Sequence, residues 1–80
     1  MRYAVVLNPI REPEFDGYYY AHIPTLDLTT HGKGIEGALA AARELSEAWV
    51  AEKRRHEEPV PVEDGALTAY IEVGDAVLGT

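Results

Sequence analysis

Three histidines (His22, His31, His56), three neighbouring acids (Glu12, Glu14, Asp16), Ser46 and the triplet Gly32-Lys33-Gly34 are where chemistry in this 80-residue chain would first be sought. Histidine binds metals and moves protons near neutral pH. None of the three shows the i, i+4 spacing of a helical metal pair, and the chain has no cysteine to add a thiolate. His22 and His31 fall on consecutive strand-like runs, and His56 follows a helical run whose dipole favours a cation there. Surface or interface positions are the favoured reading for all three. Glu12, Glu14 and Asp16 sit in a charged loop, where carboxylates are solvated far more often than metal-bound. Ser46 lies within the helical run, without a nucleophile elbow or triad spacing. A Gly-Lys-Gly ahead of a helix is a minimal anion cradle, but the longer Walker and dinucleotide patterns are absent. The expectation is a protein that is not an enzyme, with no catalytic residue, metal or cofactor.

Composition narrows the remaining classes. Fourteen acids against seven bases give a formal charge of −7. Such a surface repels phosphate backbones and suits a basic partner, so direct nucleic-acid binding is not expected. No apolar run approaches the roughly 20 residues that span a bilayer. Met1-Arg2 leads into a strand pattern rather than a signal peptide, which points to the cytoplasm. The chain has no Gln, one Asn and one Met, a depletion of heat-labile residues in the direction of a thermophile.

The elements that must position these residues follow from periodicity. Residues 2–8 carry the strand formers Tyr3, Val5, Val6 and Leu7, and Pro9 ends the run. A long loop with two prolines leads to Asp16-Gly17, a turn signal. Residues 18–23 form a second strand, with Tyr19, Ala21 and Ile23 on one face and Tyr18, Tyr20 and His22 on the other. A short third strand spans 26–31. The helix runs over 35–55, its apolar stripe set by Ile35, Ala38, Leu39, Ala42, Leu45, Trp49 and Val50. Gly34 is the expected N-cap, and Gly37 in the first turn disfavours the helix by roughly 1 kcal/mol against Ala. Pro59-Val60-Pro61 ends the helical segment. Residues 66–73 then alternate more cleanly than any other stretch, with Leu67, Ala69, Ile71 and Val73 on one face.

The implied architecture is a single α+β domain over 1–80, β-β-β-α-β. One amphipathic helix packs on one face of a mostly antiparallel sheet of order 3-2-1-4. The last strand has a second option, pairing across a dimer. A domain this small has little core of its own, so a homodimer or higher homo-oligomer is expected. Tyr18, Tyr20 and His22 form an apolar patch with no second layer over it, which gives it a reason to be buried against another chain.

The ordered set Asp16-Gly17-x-Tyr19-x-Ala21-x-Ile23-Pro24-x-Leu26, then Thr30-x-Gly32, Glu36-x-Ala38, Trp49 and Pro59-x-Pro61, resembles the N-terminal domain of HicB-type antitoxins. The likeness covers nearly the whole chain. It implies three antiparallel strands, a helix and a further strand, and an antitoxin that neutralises a small basic HicA-type ribonuclease toxin. Tyr18, Tyr20, His22, Glu44 and Glu47 are the candidate partner contacts. Asp27 stands where the family usually has Pro-Gly, and Glu36-Gly37 where it has a glutamate pair. Seven residues follow Val73, so the chain resembles the stand-alone form without a DNA-binding domain. The alternative is an orphan domain of this type that self-associates and has no toxin.

Overall fold

The computed structural model describes residues 1–65 and 68–75. It is an α+β fold: a three-stranded antiparallel sheet in the order β1-β2-β3, followed by one helix packed on the sheet. The strands are β1 (Val6–Pro9), β2 (Tyr18–Ile23) and β3 (Leu28–Lys33), and the helix is α1 (Gly34–Arg55). A 3-10 turn over Pro13–Phe15 lies in the β1–β2 loop, which the sequence had presented only as a long charged connection. Its Pro13 has a φ already suited to a helical turn.

β1 is shorter than the expected 2–8 and reaches one residue further. Val6 pairs with His22, so Val5 stands beside Ile23, the last residue of β2. Beyond it Pro24 has no N–H with which to continue the ladder. The Ala4 N–H turns instead to the Glu63 carboxylate, Oε1 at 3.0 Å. Pro9 is tolerated inside β1 because the ladder alternates. Ile10 N–H donates to Tyr18 O at 2.9 Å, so the backbone of residue 9 faces the open edge, where a missing donor breaks no pairing.

β3 begins at Leu28 rather than at residue 26. Leu26 and Asp27 belong to the turn: Leu26 N–H donates to Ile23 O (3.2 Å) and Asp27 N–H to Pro24 O (3.1 Å). Asp27 adopts φ 54°, a left-handed conformation that Asp accepts more readily than most residues. The turn places Leu26 in the core with Ala21, Ile23, Ala38 and Ala42. Each fully buried aliphatic side chain of the size of Ile23 or Leu26 contributes roughly 1.5–3 kcal/mol.

β3 passes into α1 without a loop. Gly34 has φ 69°, and its N–H donates to Gly17 O at 2.7 Å. The N-cap position is Lys33, one residue before the expected Gly34, and no side chain caps it. The helix is therefore anchored by packing. Ala38 and Ala42 are buried against the sheet, while Ile35 and Leu39, from the same sequence stripe, remain 51% and 42% exposed. At the far end Glu58 N–H reaches Lys53 O (2.9 Å) and Glu57 N–H reaches Arg54 O (3.1 Å). This is the Schellman pattern, with Glu57 at φ 55° where glycine is usual.

The fourth strand expected over 66–73 is corrected. Residues 68–73 form no strand and lie exposed, while residues 66 and 67 lie outside the described residues. The chain returns past the N-terminal segment over 59–63, and the Tyr3 hydroxyl donates to Pro61 O at 2.7 Å. Pro59 and Pro61 lack backbone donors, so this passage cannot be a ladder. Glu63 joins it to the body through Ala4 and through the Thr25 hydroxyl (2.9 Å). Gly65 then takes the left-handed φ of 69°.

Candidate interaction surface

The register sorts the candidate residues onto two layers. Val6, His22 and Thr29 stand in one row across the sheet, and Asn8, Tyr20 and His31 in the next. Residues paired directly opposite share a face, so these rows and Tyr18 form the outer face, away from α1. The inner face carries Tyr19, Ala21 and Ile23 towards the helix, as the alternation implied.

On the outer face the aromatic rings form a connected strip. Phe15, delivered by the 3-10 turn, meets Tyr18 edge to face at 5.9 Å and 83°. Tyr18 in turn lies 6.5 Å from the His31 ring. Tyr20, next along β2, is 45% exposed. Phe15 and His31 were not among the candidate contacts. Phe15 is separated in sequence by the Asp-Gly turn, and nothing in the loop's composition marks a helical turn that swings it back onto β2. The pairing of His31 with Tyr20 depends on the β2–β3 register, which shifted with Leu26 into the turn.

His22 holds a structural position on this face. Its Nδ1 lies 3.0 Å from Leu28 O and 2.9 Å from Thr29 Oγ1. The carbonyl can only accept, so the arrangement favours the tautomer that carries the proton on Nδ1. The ring thus ties β2 to the start of β3, and Nε2 is left for solvent or a partner. His56 pairs with Glu52 at 2.8 Å on α1. Among the described residues no group of three or more His, Asp or Glu is placed to hold a metal ion. Glu12, Glu14 and Asp16 are exposed in the loop.

Glu44 and Glu47 are exposed on α1, on the opposite layer from Tyr18, Tyr20 and His22. The five candidate contacts therefore do not form one patch. Glu47 instead borders a groove of about 1070 Å³ between α1 and the N-terminal segment, floored by Tyr3, Val5, Leu39, Ala42 and Val50. Ser46 lines the same groove. Trp49 packs against the core, with Lys53 Nζ 5.2 Å from its ring centroid. No described helix is long and apolar enough to cross a membrane.

No protein-family model matches the chain, and neither a curated protein nor a solved structure matches it.

Proposed function

We propose that the protein is a cytoplasmic interaction module of the antitoxin kind, which covers and neutralises a small basic ribonuclease of the HicA type. The observation that carries this reading is the uncovered aromatic strip of Phe15, Tyr18, Tyr20 and His31 on the outer sheet face. Aromatic side chains on a rigid sheet lose little entropy on binding and are the commonest interface anchors. The net charge of −7 favours encounter with a basic protein, because opposite fields speed association. A ribonuclease that grips RNA is positive where it does so, and an acidic cover competes for that surface. The resemblance to HicB-type antitoxins supplies the partner class; the sheet face supplies a place to bind it. Tyr18 and Tyr20 are the anchors in this reading, and Glu44 and Glu47 contribute through long-range charge.

The test is co-expression with any short basic, histidine-containing protein encoded in an adjacent reading frame. Co-purification and loss of ribonuclease activity in the complex are expected. A neighbour that fails to bind at about micromolar concentration contradicts the proposal.

A further inference from the structure

The least accounted-for features of the molecule are complementary to one another. One is the arm over residues 68–73, in which Ala69, Ile71 and Val73 alternate with Thr68, Tyr70 and Glu72. Tyr70 is 95% exposed and Ile71 87%. The other is the apolar groove beside α1, lined by exposed Leu39, half-buried Tyr3, Val5 and Val50, and buried Ala42 at its floor. Its N-terminal wall is the segment that leads into β1, an edge strand with no partner on its outer side among the described residues. A free edge next to an apolar trough accepts one more strand, through main-chain bonds on one side and alternate side chains on the other.

We infer that the arm of one chain fills this groove in a second copy, and that two copies exchange arms reciprocally. Three observations favour a second copy over the chain's own arm. Glu63 is fastened to Ala4 and Thr25, and two residues later Gly65 turns at φ 69°. Along the arm Tyr70 and Ile71 stand almost wholly clear of the body. The molecule is correspondingly drawn out, 51 × 31 × 19 Å with a radius of gyration of 15.9 Å, where a compact chain of this length has about 12 Å. Charge agrees with the match as well. Arg43 and Arg54 border the groove, and neither forms an ion pair with a side chain among the described residues. The arm carries Glu72 and Asp75 to meet them. A twofold exchange uses each arm and each groove once, so the assembly closes at two copies. It leaves the outer sheet face uncovered, and so stands or falls separately from the partner proposal.

The full chain is measured by sedimentation or light scattering, alone and as Ile71→Asp and Leu39→Asp. Both side chains are exposed in the single chain, so a folded monomer remains for each variant, which circular dichroism confirms. Wild type is expected to be a dimer at about 100 µM and each variant to dissociate at roughly tenfold or more higher concentrations. Mixing the two variants restores one undamaged arm–groove pair, so the mixed dimer is expected to be tighter than either variant alone. A monomeric wild type, including one whose arm docks in its own groove, overturns the inference. So does a dimer indifferent to both substitutions, or a mixture with no preference for the mixed pair.

Discussion

Gly32 of β3 and Gly37 of α1 meet backbone to backbone: a Cβ on Gly32 would stand 2.4 Å from the carbonyl carbon and oxygen of Gly37. The close approach seats the first turn of α1 on the sheet and brings Ala38 into the core. The relationship is one-sided, however. A Cβ on Gly37 would meet its nearest atom at an ordinary 3.6 Å. Gly32→Ala is therefore expected to destabilise the protein by about 3 kcal/mol, at the upper end of overpacking effects. Gly37→Ala is expected to stabilise it by roughly 0.5–1 kcal/mol through helix propensity. Urea denaturation of the pair checks both signs; destabilisation by Gly37→Ala would contradict the packing described.

The C-terminus of α1 allows the opposite exchange. Glu57 occupies the left-handed position of the Schellman turn at φ 55°, where a side chain is strained by about 1 kcal/mol. Glu57→Gly is expected to stabilise the protein by roughly 0.5–1 kcal/mol, less the small loss of unfolded-chain stiffness. Thermal unfolding reads this as a higher Tm, whereas an unchanged or lower Tm would argue against the turn.

His22 is expected to matter more for stability than for recognition. Its Nδ1 already bonds within the sheet, to Leu28 and Thr29. His22→Ala should lower stability by about 1 kcal/mol and leave partner affinity within a factor of a few. Nitrogen chemical shifts of the ring should report a proton on Nδ1, held towards the Leu28 carbonyl. A large affinity loss without a stability loss would move His22 into the interface.

The two layers of candidate contacts separate cleanly by mutation. Tyr20→Ala should weaken partner binding by roughly 2 kcal/mol, the scale of an aromatic anchor. Glu44→Lys and Glu47→Lys should instead act through charge, slowing association modestly and only at low salt. Binding kinetics at two ionic strengths tell these apart. Larger losses from the glutamates than from Tyr20 would place the partner on α1.

Sequence periodicity made β2, α1 and the inner face of Tyr19, Ala21 and Ile23 legible, because each combines a strong pattern with a clear terminator. Boundaries set by pairing partners were not legible. β1 lost residues 2–5 because β2 ends at Ile23, and β3 started late because Leu26 is held in the turn by the Ile23 carbonyl. The alternation over 66–73 is a real sequence pattern, but residues 68–73 form no strand, because alternation alone does not supply a pairing partner. Phe15 was missed as part of the aromatic strip since its placement depends on a three-residue 3-10 turn, too short to leave a periodic signal.

The central claim is that the outer aromatic face of the sheet binds a small basic ribonuclease. Calorimetric titration of the wild-type chain and Tyr20→Ala with any short basic protein encoded in an adjacent reading frame tests that claim most directly. The account predicts submicromolar binding by the wild type, weakened roughly 30-fold in Tyr20→Ala, with ribonuclease activity suppressed at one equivalent. No heat of binding at about 10 µM, or equal affinity for both chains, would contradict it.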